Sequence, residues 1–334
     1  MAERGVSVTL IGEHRAGEAS PAAAGMLAPS VERAVGPAHD FGIAARDRYP
    51  SYVEFLAERT GIRVPLNRRG ILQVALNDKG IKGLKRTAPP TARWLDGNEL
   101  RRLEPALSHA VGAMFNPDDG AVDNTVLLSA LLKLVSANAR VETVNDAVIE
   151  VEPRESSTTV RTRSGATHSA HHVVLAAGAW VGRISGVRLG SAVQPFRGQL
   201  VSYSTSLLGH VAYGPRGYVV PRGDSTIGGS TMEDVGFDAS TTSEGVEKVR
   251  SAAEEICPSL SRSNATRAWA GLRPVTPDML PILGPDPEHP SLIYACGHSR
   301  NGVLMAPLTG DLIADLVTAT PLSLDLAQFR PGRF

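Results

Sequence analysis

The sequence is short of several things, and each shortage removes a class of function. It has no excess of either charge: lysine plus arginine and aspartate plus glutamate both number 34 in 334 residues. No long run of one sign occurs, which argues against a nucleic-acid binder or a polybasic membrane-surface protein. Its two cysteines, Cys257 and Cys296, are too few and too far apart for a disulfide framework or a zinc cluster, so a reducing compartment is expected. The longest apolar stretch, VVLAAGAWV at 173–181, falls far short of the ~20 residues of a membrane-spanning helix. The N-terminus lacks the basic region, apolar core and small-residue cleavage site of a secretory signal. A cytoplasmic protein without membrane or nucleic-acid partners is the expectation. Serine hydrolysis has no GxSxG motif to stand on, the nine histidines are scattered with no CxxC beside them, and no metal site is expected. Glycine is the exception to this sparseness: 33 are present, with clusters at 228–229, 271–284 and 297–302 that mark close backbone turns.

Along the chain, Ser7–Ile11 reads as a strand closed by Gly12. Gly5, straight after Arg4, has the look of a left-handed helix stop. The stretch 15–30 is rich in small residues and aperiodic. Residues 40–56 place apolar side chains at helical spacing, with Pro50 predicting a kink or break. GILQVAL at 70–76 alternates like a strand, DGNELRRL at 96–103 is a short capped helix, and Thr125–Val135 is an apolar helix behind an Asp or Asn cap. From Arg140 strands dominate: RVETV, AVIEVE, TTVRTR and the buried-type HHVVLAAG, then AVQPF, GQLVSYS, GYVVPR and STIGGSTM. Thr242–Ile256 is an amphipathic helix, LIYACGHS another buried strand ending in a glycine loop, and Leu304–Val317 a closing helix. Parallel-type strands alternating with helices, interrupted by antiparallel blocks, predict two interleaved domains of an α/β protein.

Six segments, in order across nearly the whole chain, carry a resemblance. They are EASPAAAGMLAP (18–29), DDGAVDN (118–124), VVLAAGAW (173–180), GYVVPR (217–222), GLRPVTPDMLPILG (271–284) and GHSRNGVLMAPLTG (297–310). Together they resemble the FAD-dependent D-amino-acid oxidase family, and within it the glycine oxidases of thiamine biosynthesis. The family binds FAD through a β-α-β unit whose first turn is GxGxxG, a motif not found in this sequence. By that resemblance SVTLIG stands where the family has its second strand, and Gly12 with Glu13 stand where an acid normally meets the ribose. The chain is expected to begin at the last turn of the first helix, about 20–25 residues into a ~30-residue unit. A late start codon and a real truncation are the two explanations, and poor FAD binding or a non-catalytic remnant is one expected consequence.

The resemblance implies an FAD-binding Rossmann-like domain, lacking its first strand and helix, assembled from 1–36, 109–188 and 266–334. A second α+β substrate domain, from 37–108 and 189–265, is built on a mixed or antiparallel sheet. It implies Ser20, Ala23, Ala24, Gly25 and Met26 against the pyrophosphate and flavin, Val148 at the adenine, and Ala177 and Gly178 near the phosphates. Gly297, Arg300, Asn301, Gly302 and Val303 are placed at the pyrimidine end of the flavin, where backbone amides suit the anionic reduced ring. Arg273 would fix the substrate carboxylate with two parallel hydrogen bonds. Tyr218 would add its hydroxyl, Arg300 a second cation, and Met232 would narrow the pocket; His298 is expected to be structural. The implied reaction is oxidative deamination of glycine or a similar small amine, such as sarcosine or a D-amino acid, with O2 reduced to H2O2. The imine would hydrolyse or pass to a thiazole synthase, and a homotetramer is the implied assembly. An amine dehydrogenase of the same family is the alternative.

Overall fold

The computed structural model describes residues 1–32 and 36–334. Its backbone is an eight-stranded sheet in the order Ala265–Val275, Gln194–Tyr203, Ser225–Gly229, Tyr218–Arg222, Val211–Tyr213, Ile71–Ala75, Gly112–Asn116 and Arg93–Asp96. Every neighbouring pair is antiparallel except Val211–Tyr213 with Ile71–Ala75, so the sheet is mixed as expected. Side chains alternate across it: Leu200, Val220 and Ile71 pack with Ala24, Ala28 and Val31 on one face. Their neighbours Val201, Val219 and Leu72 pack with Val249, Ala253 and Ile256 on the other, as a period of two requires. Helix Ser243–Ile256, capped by Thr242 accepting from the Gly245 N–H, covers that second face. The sheet takes in Gly112–Asn116 and Ala265–Val275, two strands that the expected ranges assign wholly or almost wholly to the other domain; the reason is the pairing itself, with Gly112–Asn116 lying between Ile71–Ala75 and Arg93–Asp96.

Two further parallel pairs lie outside that sheet. Val8–Ile11 pairs with Val141–Val144, and Val173–Leu175 pairs with Leu292–Cys296, which is antiparallel to Ile282–Pro285. Consecutive residues 6–12 and 173–178 line one cavity, as happens where strand edges rather than faces border a space. A meander, Val148–Pro153, Thr158–Thr162 and Thr167–Ala170, flanks them; the last of these strands is polar and was not foreseen from the sequence.

Two helices close the structure. Pro37–Thr60 runs unbroken through Pro50, where a kink or break is the sequence expectation. Losing one ladder bond there is offset by burial of Phe41, Ala45, Tyr49 and Leu56 against Leu308, Leu312 and Phe329 of the C-terminal region. Helix Gly302–Val317 is the second; the Tyr49 hydroxyl donates to the Val303 carbonyl and ties the two together. Local signals elsewhere behave as expected. Asp96 and Glu99 form a capping box on Gly97–Leu103, and Asp123 caps Asn124–Ala137. Gly5 is left-handed at φ 84°, closing a single 3-10 turn at Ala2–Arg4.

Candidate functional site

A cavity of about 1720 Å3 runs from the parallel strands to the large sheet, and every candidate residue named above lines it. Its middle is the small-residue segment 19–26, whose geometry is set from behind. Three side chains from three different elements donate to alternate carbonyls of this segment. Asn124 Nδ2 reaches Ser20 O at 2.6 Å, Trp269 Nε1 reaches Ala22 O at 2.9 Å, and Arg222 Nη2 reaches Ala24 O at 2.7 Å. Gly25 sits at φ +75° with its backbone against Val122; an added Cβ would fall on the Val122 carbonyl. Gly271 gives similar room behind Ala22, whose Cβ would be 2.5 Å from a Cβ there. These three carbonyls are thus taken by protein donors that do not line the cavity, while the small residues of the segment do.

At one end stand the charges. Arg273, on Ala265–Val275, donates from Nη1 to Thr231 O at 3.0 Å and from Nη2 to Ser230 Oγ at 2.6 Å. The guanidinium lies across Gly198 of the neighbouring strand, where any Cβ would collide with it. Gly229 does the same for the Tyr218 ring. Tyr218 lies beside Arg273; burial, followed by repulsion from Arg300, lowers the affinity of Arg273 for its proton, while the charges of Tyr218 and Glu32 oppose that shift. Arg300 forms an ion pair with Glu32, a residue that motif reading passed over. Burial pushes the Glu32 carboxyl above the usual range, against the pull of Arg300 and Arg273. Met232 lies at the rim, 44% exposed, lining the opening rather than buried as a core side chain.

The loop 297–301 leads into helix Gly302–Val317. Gly297 at φ +72° packs where a Cβ would meet Thr276 Cγ2 at 2.6 Å, and the Ser299 N–H donates to Pro274 O at 2.9 Å, joining the loop to the Arg273 strand. Asn301 begins the helix without a side-chain cap, so the first-turn N–H groups of a 16-residue helix lie at the cavity wall with Gly302 and Val303. His298 is partly buried at the cavity wall; desolvation pushes its pKa down from 6.5 to about 4, and Nε2 lies 3.2 Å from Thr309 Oγ1. It is neutral at pH 7.

At the far end, Val148, Ala177 and Gly178 meet the cavity. Gly178 is left-handed at φ +54°, and a Cβ there would meet nothing within 4 Å, so that space is open. Glu13, next to the position the resemblance reserves for a ribose acid, also lines the cavity. Its carboxylate is taken by Arg163 at 2.8 and 3.0 Å and by Arg15 at 3.0 Å, and the Arg163 bonds hold its pKa low.

These surfaces fit FAD at its two ends. A carbonyl-clamped cradle of small residues and a helix N-terminus suit the flavin, and the open space beside Gly178 and Val148 suits the adenosine; a GxGxxG turn for the pyrophosphate is not in the sequence. Glu32, Gly198, Gly229 and the Ser230–Thr231 pair were missed by motif reading. Glu32 carried no local signal; for the others it was the paired glycines of STIGGSTM and the lone glycine within FRGQL.

Known proteins resemble this chain along most of its length. Glycine oxidase of Geobacillus kaustophilus (strain HTA426) is 33% identical over 325 residues, 93% of this chain and 86% of the relative. The crystal structure of glycine oxidase from Geobacillus kaustophilus superposes with a TM-score of 0.91 at 33% identity, covering 100% of this chain and 94% of that one. The bifunctional protein ThiO/ThiG of Synechocystis sp. is 33% identical over 342 residues, 99% of this chain; the chain spans about half the length of that relative (51%). Residues 1–316 match the family described as FAD dependent oxidoreductase (DAO), and the chain belongs to that FAD-dependent family.

Proposed function

We propose that this chain oxidises glycine, or another small amino acid or amine, to the imine while O2 is reduced to H2O2; water then hydrolyses the imine, releasing its nitrogen as ammonia or an alkylamine and leaving, from an amino acid, the 2-oxo acid. The observation that carries this reading is the Arg273 guanidinium, held by Ser230 and Thr231 in the cavity wall beside Tyr218. An amino acid needs its carboxylate fixed before Cα–H can be aligned with an acceptor. A guanidinium has five N–H donors in a planar fork, and Arg273 spends two on protein oxygens, leaving donors for a carboxylate. The Tyr218 hydroxyl would add a further contact to the same group. Met232 at the rim would limit the length of the substrate side chain. His298, neutral and hydrogen-bonded to Thr309, is a structural part of the loop and not a base.

The cradle Ser20–Met26 would face the flavin and its pyrophosphate side, the helix start at Asn301–Val303 the pyrimidine edge, Ala177 and Gly178 the phosphates, and Val148 the adenine. When bound, FAD supplies a two-electron acceptor for the Cα hydride, reoxidised by O2. The division into an FAD unit from 1–36, 109–188 and 266–334 and a substrate unit from 37–108 and 189–265 belongs to the same reading, with the strands Gly112–Asn116 and Ala265–Val275 contributed to the shared sheet. A role in thiamine thiazole formation, with a thiazole synthase accepting the imine, is supported by similarity to the ThiO half of ThiO/ThiG. A cytoplasmic homotetramer completes the proposal.

The test is turnover of the purified chain supplied with FAD. Glycine should yield glyoxylate and H2O2 in equal amounts, with matching O2 uptake. Flavin that glycine bleaches but air does not recolour would identify a dehydrogenase instead. Bound flavin that glycine and related small amines leave unchanged would overturn the reading.

A further inference from the structure

The substrate end holds two guanidiniums, but one is already occupied. Arg300 pairs with Glu32, whose side chain is 9% exposed while that of Arg300 is 43% exposed. Both residues line the cavity; the Glu32 side chain is largely enclosed and that of Arg300 is the more exposed of the two. Glu32 is not there by accident of a floppy side chain. It lies on helix Pro29–Glu32, which is pinned by the fully buried Asp119. Asp119 accepts from the Ser30 N–H at 3.1 Å, from Ser30 Oγ at 2.9 Å and from Arg46 Nη1 at 3.1 Å. A carboxylate held in place this way cancels the charge of Arg300 and repels any second anion brought to it.

We propose that Glu32 is the specificity-determining residue for substrate charge: by neutralising Arg300 it leaves Arg273 as the single anion anchor, and the site accepts amines bearing one carboxylate while rejecting those bearing two. The inference rests on the proposed function for its choice of substrate class and adds the charge rule. Removing the negative charge from position 32 frees Arg300, and the same pocket then offers two guanidiniums to a dianion. A charge-assisted hydrogen bond gained in this way corresponds to about a tenfold to hundredfold gain in affinity.

The experiment is calorimetric titration of the FAD-supplemented protein with acetate, malonate, succinate and glutarate, a series that assumes no particular spacing between the arginines. In the wild type no dianion should bind more tightly than acetate. In Glu32→Gln the best dianion should gain at least about tenfold relative to acetate, and the gain should vanish in Glu32→Gln/Arg300→Met. An unchanged ratio in folded Glu32→Gln, or a gain that survives loss of Arg300, would overturn the proposal. Should the variant not fold, the wild type decides: dianions preferred about tenfold over acetate would mean Arg300 is already free. A parallel kinetic arm compares iminodiacetate with glycine. Absence of glycine turnover alongside the expected binding ratios would sink the proposed function and leave the charge rule standing, so the two failures are distinguishable.

Discussion

The two halves of the cavity are built on opposite principles. The segment 19–26 is uncharged towards the cavity, and its backbone is fixed by donors behind it: Asn124, Trp269 and Arg222 each hold one carbonyl. The substrate end is made of long charged side chains whose own positions are fixed: Arg273 over Gly198, Arg300 on Glu32, and Glu32 on a helix tied to Asp119. The first half is shaped by what is absent, since an added Cβ at Gly25 or Gly271 would strike Val122 or Ala22 behind it. The second is shaped by charges that would be costly to bury unpaired. A substitution should therefore damage one half through volume and backbone conformation, and the other through charge and direction.

The largest expected effect comes from Arg273→Ala. It removes a buried charge-assisted anchor, and kcat/KM for glycine should fall by about 10^2 to 10^3, mostly in KM, with far less change in FAD affinity. Steady-state peroxide assays alongside FAD titration check this, and comparable losses in both would erase the distinction between the halves. Gly198→Ala should act on the same half from a distance, because its methyl would displace the guanidinium. A loss of about tenfold to a hundredfold in kcat/KM is expected, with the crystal structure of the variant showing Arg273 moved off Thr231 and Ser230.

Gly25→Ala tests the other half. A left-handed φ of +75° and the Val122 carbonyl both oppose a side chain there. Stability should fall by about 2 kcal/mol or more, and FAD should bind more weakly, whereas the affinity of a reloaded sample for acetate should change less. The smallest effect is on pH. His298 is pushed from 6.5 to about 4 in the folded state, so the unfolded chain binds the proton first as pH falls. Its contribution to stability is complete above pH 6.5 and is lost as pH drops towards 4. Between pH 6.5 and 5 the loss amounts to about 1–2 kcal/mol. Urea denaturation of His298→Gln should show a correspondingly flatter dependence over that interval; an unchanged slope would place the titrating group elsewhere.

What could be read from the sequence was whatever is written locally. The Asp96–Glu99 capping box, the Asp123 cap, and the helices at 243–256 and 302–317 depend on residues within a few positions of each other. The segments lining the cavity were also recognisable, because runs such as AAAG and GHSRNG are among those that carry the family resemblance. What could not be read depends on partners far away. Glu32 becomes part of the site through Arg300, 268 residues on. Gly198 matters only because Arg273 crosses it from a neighbouring strand, and neither stretch alone carries that information. Pro50 is a further case: helix Pro37–Thr60 is not broken there, because its packing on Gly302–Val317 outweighs the local cost. The strands Gly112–Asn116 and Ala265–Val275 joined the large sheet through pairings that no local pattern specifies.

The most direct measurement is anaerobic mixing of the FAD-loaded chain with glycine and, separately, with methylamine, following the visible flavin band. The expected result is saturable bleaching by glycine and none by methylamine at the same concentrations, because only glycine offers Arg273 a carboxylate. Equal bleaching by the two amines, or none by glycine while the flavin stays bound, would contradict a site organised around that guanidinium.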